Sequence, residues 1–153
     1  TPHEGEWARL FAPLPAEPHA RIDSLTAKAR EYSMAIVYKG NPTIVANSDG
    51  KAYILAVGNS GMATAGSGDV LSGILVSLCA QGCSVSDASI LGVGLHGLAG
   101  ECACAELSEY AVIARDLVRN ISTVVKQLAG KAMPPVLPES WRQSDNTDNK
   151  TGM

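Results

Sequence analysis

Apolar residues recur along this chain with two different spacings. Five stretches repeat them every three or four residues, which is typical of amphipathic helices. Three shorter runs have strand length and are bounded by Gly, Pro, Asn or Asp, which predicts strands. The helical stretches are 6–11, 19–31, 70–81, 86–107 and 114–128. The strand-like runs are 34–38, 43–46 and 52–57, with an Asp-Gly turn at 49–50 that predicts a hairpin between the last two.

The later helices each present an apolar face, which identifies the predicted core. Gly82 and Gly130 predict where two of them end, and Ser86 or Asp87 is expected to cap the helix at 86–107. Strands followed by helices, with a glycine-rich loop between them, indicate an α/β layered fold. The predicted core-facing residues are Val70, Leu71, Ile74, Leu75 and Leu78, and then Leu117, Ile121, Val124, Val125 and Leu128.

The composition is typical of one globular domain followed by a polar tail. Of 153 residues 46% are hydrophobic, so 1–130 can form a core, whereas 131–153 is rich in Pro, Ser, Asp and Asn and is predicted to be flexible. A net charge of −3 without a basic stripe argues against nucleic acid as a partner. The apolar stretch 71–98 is interrupted by Asp87, His96 and glycines, so we expect buried helices and no membrane span.

The chain has four cysteines, at positions 79, 83, 102 and 104, and Cys102 and Cys104 lie in a helical stretch rich in alanine. No second cluster at zinc-like spacing accompanies Cys102 and Cys104, so no metal site is predicted there. Small buried thiols are typical of a reducing compartment, and no signal peptide is visible, so we expect a cytoplasmic protein.

The segment 58–69, Gly-Asn-Ser-Gly-Met-Ala-Thr-Ala-Gly-Ser-Gly-Asp, places four glycines and one acidic residue directly before an apolar helix. Glycine lets the backbone approach a ligand closely, and unpaired N–H groups at a helix start attract an anion. The segment therefore predicts a phosphate or oxyanion site with the Asp69 carboxylate at its mouth. The alternative is a structural turn in which Asp69 only caps the helix. Neither the P-loop nor the Rossmann glycine pattern is present.

Several segments, in order along the chain, resemble the motifs of one family. They are Thr1-Pro-His-Glu-Gly-Glu6, Lys39-Gly-Asn-Pro-Thr43, the segment 58–69, His96-Gly-Leu-Ala-Gly100 and Ala114-Arg-Asp116. The family is that of the ADP- or ATP-dependent NAD(P)H-hydrate dehydratases, within the ribokinase-like superfamily. The resemblance covers about residues 1–130 and implies the C-terminal half of a ribokinase-like α/β domain.

The family's preceding half does not occur in this sequence. Since the chain also begins at Thr1 and not at Met, we expect a trimmed or divided protein. Its partners are then expected to be the missing N-terminal half or further copies of itself, in a homo-oligomer.

The resemblance implies a repair reaction on hydrated NADH or NADPH. A nucleotide, ADP or ATP with Mg²⁺, phosphorylates the ring hydroxyl, and phosphate then leaves. Phosphate is a better leaving group than hydroxide, and phosphoryl transfer needs mainly positioning and charge stabilisation. Asp69 is then the general base that takes the proton of the hydroxyl. The anion hole consists of the N–H groups of Ala65, Gly66, Ser67 and Gly68.

The resemblance also assigns binding residues. Contacts to the nucleotide are implied for Lys39, Gly40, Asn41, Pro42, Thr43 and Gly68, and contacts to the hydrated nicotinamide for His3 and Asp69. On spacing alone, Lys39 is a solvated charge at a strand end and His3 belongs to a frayed terminus. His96 is predicted to be a hydrogen-bonded core histidine, and Asp116 a helix cap.

Two other functions fit the same residues. A small-molecule kinase, acting on a vitamin precursor or a sugar, shares the Gly-x-Gly-Asp anion hole. Product formation on hydrated NADH, compared with hydroxymethylpyrimidine and hydroxyethylthiazole, separates it from the dehydratase. The other alternative is a nucleotide-binding module without catalysis, because a half-sheet has an unpaired edge and an incomplete pocket.

Overall fold

The computed structural model describes residues 1–129, in which a small sheet is combined with five α-helices. The helices are α1 (Glu4–Leu10), α2 (Pro18–Glu31), α3 (Ser67–Ala80), α4 (Val85–Leu107) and α5 (Ala114–Ala129). The strands are β1 (Ile36–Tyr38), β2 (Thr43–Ala46) and β3 (Ala52–Leu55), and a 3₁₀ turn covers Ser60–Met62.

The three strands form an antiparallel sheet in the order β1-β2-β3. Val37 of β1 pairs with Val45 of β2. The predicted hairpin turn joins β2 to β3: the Gly50 N–H donates to the Asn47 carbonyl at 2.9 Å, and Gly50 has a φ of +86°. Glycine adopts that angle without the steric cost that a Cβ would bring. β1 and most of β2 are buried, whereas β3 is partly exposed.

The first residues of the chain run beside β1, on the edge that β2 does not occupy. His3 forms a parallel bridge with Lys39, whose N–H donates to the Pro2 carbonyl at 2.8 Å. α1 and α2 lie between His3 and β1 in the chain. Trp7 of α1 and Leu25 of α2 are buried against the sheet. The connection brings α1 next to the residue at which β1 ends.

The three later helices pack against one another, and α3 and α4 also pack against the sheet. Leu71 of α3 and Val93 of α4 form a buried cluster with the sheet residues Val37 and Val45. Close packing of α3 on α4 depends on Gly92, where a Cβ would lie 2.5 Å from a Leu75 methyl carbon. α3 and α4 therefore join the sheet to the rest of the helical layer.

The predicted elements are all present, with boundaries that differ by a few residues. The helix predicted from residue 70 begins at Ser67, inside the glycine-rich segment. The predicted cap of α4 is wrong: Ser84 caps it, because its hydroxyl accepts the Asp87 N–H at 3.1 Å. Val125 is 38% exposed, so its predicted place in the core is wrong. Val125 follows the buried Val124 directly in α5, so its side chain lies about 100° further round the helix and faces solvent.

The predicted polar tail, 131–153, lies outside the described residues. α4 is long and apolar enough to cross a membrane by length and composition alone. Half of its most apolar window is nevertheless buried inside the fold. Its buried residues pack against α3 and α5, as expected of a core helix.

Candidate active site

The glycine-rich segment enters α3 through Gly66, which has a φ of +86° and immediately precedes the helix. The Ser67 N–H closes this turn by donating to the Thr64 carbonyl at 3.2 Å. In residues 1–129 the N–H groups of Ala65, Gly66 and Gly68 donate no hydrogen bond. Three of the four groups predicted to form the anion hole are therefore available to a ligand, and the Ser67 N–H is used by the turn.

Asp69 lies exposed in the first turn of α3. The N-cap position is Gly66, and no side chain caps this helix, so the alternative that Asp69 only caps α3 is wrong. In the part of the chain that the structure describes, the carboxylate takes part in no ion pair. Its oxygens are therefore free to accept a proton or a ligand N–H or O–H.

Two cavities meet at the start of α3. One has a volume of about 630 Å³ and is lined by α1, Gly66, Asp69 and Ser72; we call it the Asp69 cavity. The other, of about 640 Å³, is lined by the loops 39–43 and 57–64 and by His96; we call it the His96 cavity. Lys39 and Gly68 line both cavities, so these two residues form the boundary between them.

The Lys39 side chain lies over the first turn of α3. Its Nζ is 3.3 Å from the position that a Cβ on Gly68 would occupy. On its other side the same Nζ is 3.2 Å from Glu6 Oε2. Only 26% of the side chain is exposed, so Lys39 is not the solvated charge that spacing alone favoured. It is a held cation at the meeting point of two cavities.

His3 starts α1 in an ordered conformation. Its Nδ1 accepts the Glu6 N–H at 3.2 Å, and Glu6 Oε2 accepts the His3 N–H at 2.7 Å, which is a reciprocal capping box. The alternative of a frayed terminus is therefore wrong. His3 lines the His96 cavity, whereas Asp69 lines the other one. The two residues assigned to the nicotinamide thus lie on opposite sides of the boundary, and the substrate role of His3 stays a prediction.

The loop 39–43 contributes all but one of its residues to the His96 cavity. Pro42 lines a third, smaller cavity of about 310 Å³ instead. The Thr43 hydroxyl donates to the Gly40 carbonyl at 3.1 Å and holds the loop closed. The structure therefore brings Lys39, Gly40, Asn41 and Thr43 together with Gly68, and their contact with a nucleotide stays a prediction.

The opposite wall of the His96 cavity is the loop 57–64, which is tied to α4. The Gly58 N–H donates to Glu101 Oε1 at 2.9 Å, and the Cys104 S–H donates to Asn59 Oδ1 at 2.8 Å. Sequence reasoning assigned no role to Asn59, Glu101 or Cys104, because no local pattern signals hydrogen bonds between distant residues.

His96 of α4 contacts the start of α3. Its Nε2 is 3.0 Å from the Ser67 carbonyl, so this nitrogen carries the hydrogen of the neutral ring. Burial lowers the pKa of His96 from its ordinary value of 6.5, and the hydrogen bond to Ser67 partly opposes this effect. The predicted hydrogen bond is confirmed. The ring also lines a cavity, which the prediction of a core histidine did not include.

The remaining candidates have structural roles. Asp116 Oδ2 accepts the Ile113 N–H at 3.1 Å and caps α5 as predicted. All four cysteines are unpaired; Cys79 is exposed, Cys83 is buried, and Cys102 and Cys104, which were predicted to be buried, are partly buried. Burial raises the pKa of the Cys83 thiol. Between residues 1 and 129 no group of three His, Cys, Asp or Glu side chains is placed to hold a metal ion.

Several proteins that this chain matches in sequence are named as enzymes of hydrated NAD(P)H. The family model of NAD(P)H-hydrate dehydratase matches residues 1–123. Over 129 residues the chain is 42% identical to the bifunctional NAD(P)H-hydrate repair enzyme of Moorella thermoacetica, covering 84% of this chain and 24% of that protein. It is 43% identical over 102 residues to the ADP-dependent (S)-NAD(P)H-hydrate dehydratase of Neisseria meningitidis, covering 66% of this chain and 34% of that one.

A solved structure of a similar protein supports the fold. The ADP/ATP-dependent NAD(P)H-hydrate dehydratase of Bacillus subtilis, co-crystallised with ATP and Mg²⁺, superposes with a TM-score of 0.75 at 29% identity, covering 82% of this chain and 46% of that one. The chain therefore spans about half the length, or less, of the relatives that it matches. The predicted ribokinase-like α/β fold is confirmed. The chain belongs to the NAD(P)H-hydrate dehydratase family.

Proposed function

We propose that this chain provides the catalytic and nucleotide-binding residues for the dehydration of hydrated NADH or NADPH. The observation that carries the proposal is the Asp69 carboxylate, which takes part in no ion pair within residues 1–129 and borders a cavity lined by Gly66 and Gly68, whose N–H groups donate no hydrogen bond in that range. The family supports the class of reaction, since relatives are named as NAD(P)H-hydrate dehydratases that depend on ADP or on either nucleotide.

The two cavities suit the two reactants. The His96 cavity takes the nucleotide, because it combines the loop 39–43 with Gly68 at the start of α3. The Asp69 cavity takes the hydrated ring, because the candidate base lies there. Phosphoryl transfer requires donor and acceptor on opposite sides of the transferring group, roughly in line. The Lys39–Gly68 boundary is the place where that group crosses.

The nucleotide supplies the phosphoryl group that makes the ring hydroxyl a better leaving group. Asp69 accepts the hydroxyl proton while the oxygen attacks the terminal phosphorus and the bond from phosphorus to the nucleotide oxygen breaks. The N–H groups of Gly66 and Gly68 hold the phosphoryl oxygens during transfer. Phosphate then departs from its ring carbon, the adjacent carbon loses a proton, and the ring double bond is restored.

Any Mg²⁺ enters with the nucleotide in this proposal. The residues from 1 to 129 place no three ligating side chains together, so they form no protein cage for a metal. Mg²⁺ usually keeps several waters and binds through substrate phosphates with one or two carboxylates. We therefore expect the phosphates to provide most of its ligands.

We also propose that a further strand of the family domain lies parallel to β1. The bridge from His3 to Lys39 starts such a pairing at one end of the free β1 edge. Intact mass spectrometry and sedimentation of the purified protein would show a second polypeptide, a longer chain or a homo-oligomer. A lone monomer of 15.9 kDa would contradict this part of the proposal.

A cytoplasmic location is proposed as well, supported by four unpaired cysteines.

The central test is Asp69→Asn in the full-length gene product. We expect turnover of hydrated NADH with ADP or ATP to fall about 1000-fold, because general-base catalysis contributes roughly that factor. Nucleotide binding, measured by calorimetry, should be kept. Asp23→Asn is the matched control, since Asp23 is an exposed aspartate on α2 that lines neither cavity.

Other results would identify the alternatives. Phosphorylation of hydroxymethylpyrimidine or hydroxyethylthiazole in preference to hydrated NADH would make the protein a small-molecule kinase. Nucleotide binding with no turnover of any of these substrates, in the complete protein, would make it a binding module. Full turnover by Asp69→Asn would remove Asp69 from the chemistry.

A further inference from the structure

Lys39 owes its position to Glu6, a residue to which neither the sequence motifs nor the family resemblance gives a role. Lys39 follows β1 and borders a cavity on each side, and its side chain has several rotatable bonds. The ion pair of 3.2 Å with Glu6 Oε2 holds the ammonium over the first turn of α3. Glu6 is the one ion-pair partner of Lys39 among residues 1–129.

Glu6 is itself fixed by the start of α1. Its carboxylate accepts the His3 N–H at 2.7 Å, and its own N–H donates to His3 Nδ1. The His3 N–H, followed by the Lys39 ammonium, lowers the pKa of Glu6, so the carboxylate stays charged near neutral pH. One carboxylate therefore joins the capping box of α1 to the end of β1.

The ammonium that Glu6 holds is placed where the proposed phosphoryl transfer happens. Lys39 borders both cavities, and its Nζ approaches the backbone of Gly68, whose N–H donates no hydrogen bond to any residue between 1 and 129. An ammonium has three N–H donors, so contact with one carboxylate leaves donors for phosphoryl oxygens. The charge and the free N–H groups thus converge on one point.

We propose that Glu6 is a positioning residue that holds the Lys39 ammonium against the start of α3, where Lys39 contacts the phosphoryl group as it crosses between the cavities. This inference rests on the proposed function. Since the contact is made most fully in the transition state, loss of Glu6 should lower kcat more than it raises KM. If Glu6 only caps α1, its loss should lower the stability of the protein and leave kcat and KM unchanged.

The test is Glu6→Gln in the full-length protein, assayed with hydrated NADH and ADP or ATP. Glutamine keeps the oxygen that accepts the His3 N–H and removes the charge that holds Lys39. We expect kcat to fall about 10- to 100-fold, as for loss of one preorganised charge contact, with KM and nucleotide Kd changed less than about threefold. Glu106→Gln is the control, an exposed glutamate on α4 that takes part in no ion pair of the described chain.

A double-mutant cycle sharpens the test. Lys39→Met should lower kcat at least as much as Glu6→Gln, and the double variant should be no worse than Lys39→Met, because Glu6 acts through Lys39. Additive losses, or a Glu6→Gln variant with the kcat of the wild type, would overturn the inference and leave the proposed function standing. If Glu6→Gln does not fold, the same comparison is made between Glu6→Asp, which keeps the carboxylate charge, and Lys39→Met, which removes the ammonium. Absence of turnover in the wild type would reject both proposals together.

Discussion

The two cavities at the start of α3 differ in how their walls are held. The loop 57–64 of the His96 cavity is tied to α4 through Gly58, Asn59 and the side chains of Glu101 and Cys104. On the side of the Asp69 cavity, within residues 1–129, the Asp69 carboxylate takes part in no ion pair and the Gly66 N–H donates no hydrogen bond, while Lys39 and Gly68 belong to both cavities. We infer that the two cavities have different roles. One side has a wall fixed by hydrogen bonds between distant residues, whereas the other has polar groups that are available to a ligand.

The largest effect on the wall of the His96 cavity is expected for Gly61→Ala. A Cβ at this buried position would lie 2.7 Å from Cys104 Sγ, 2.8 Å from the Glu109 carbonyl oxygen and 2.9 Å from Glu109 Cα. Backbone cannot yield cheaply, so the loop should leave α4, at a cost of about 1–3 kcal/mol in unfolding free energy. Nucleotide affinity should fall with it. Chemical denaturation and calorimetry check both effects.

Gly94→Ala is the matched control for that substitution. A Cβ at Gly94 would meet nothing within 4 Å, and the residue lies within α4. Alanine should therefore raise stability, by up to about 1 kcal/mol, through helix propensity alone. An equal change in unfolding free energy for Gly61→Ala and Gly94→Ala would show that the loop 57–64 is not held as tightly as its contacts indicate.

A smaller and more selective effect is expected for Gly68→Ala, on the boundary between the cavities. The new Cβ would lie 3.3 Å from Lys39 Nζ, so the ammonium must shift by a few tenths of an ångström. We expect a several-fold loss of kcat, on the order of 1 kcal/mol in the barrier, without loss of stability. Gly73→Ala, in the same helix and with nothing within 4 Å, should keep kcat. A stable Gly68→Ala variant with unchanged kcat would contradict the role of the boundary.

The smallest expected effect is a pH dependence from His96. Its pKa in the folded protein is below 6.5, so the unfolded chain takes up a proton first as pH falls. The stabilisation is complete above pH 6.5 and is lost as the pH falls from there through the lower, folded pKa. His96→Gln should therefore flatten the fall of Tm between pH 7 and pH 5, measured by calorimetry against the wild type. Identical Tm profiles would mean that His96 is not protonated on unfolding in this range.

Local pattern predicted much of this molecule. The spacing of apolar residues identified every helix and strand, and the glycine-rich segment identified the start of α3. The helix nevertheless begins at Ser67, because Ser67, Gly68 and Asp69 contain no apolar residue to extend the periodic pattern. The Ser84 cap of α4 was missed for a similar reason, since neighbouring Ser86 and Asp87 are equally suitable cap types.

What the sequence did not predict depends on contacts between distant residues. The pair of Glu6 and Lys39 joins α1 to the end of β1, and no periodicity signals it. The separation of His3 from Asp69 into different cavities is a property of the assembled fold as well. Motifs can therefore name reactive residues correctly while leaving open which of them face one another.

The parallel contact of His3 with Lys39 closes a connection that contains both α1 and α2. Such long-range pairings form more slowly than the β1-β2-β3 hairpins or the packing of neighbouring helices, because a large loop must close first. The position of the Lys39 ammonium at the boundary of the cavities therefore depends on the packing of α1 and α2. We expect a partial opening in which α1 detaches while the other helices remain packed. Such an opening would switch off chemistry before the protein unfolds, so heating should abolish activity at a lower temperature than it melts the helices.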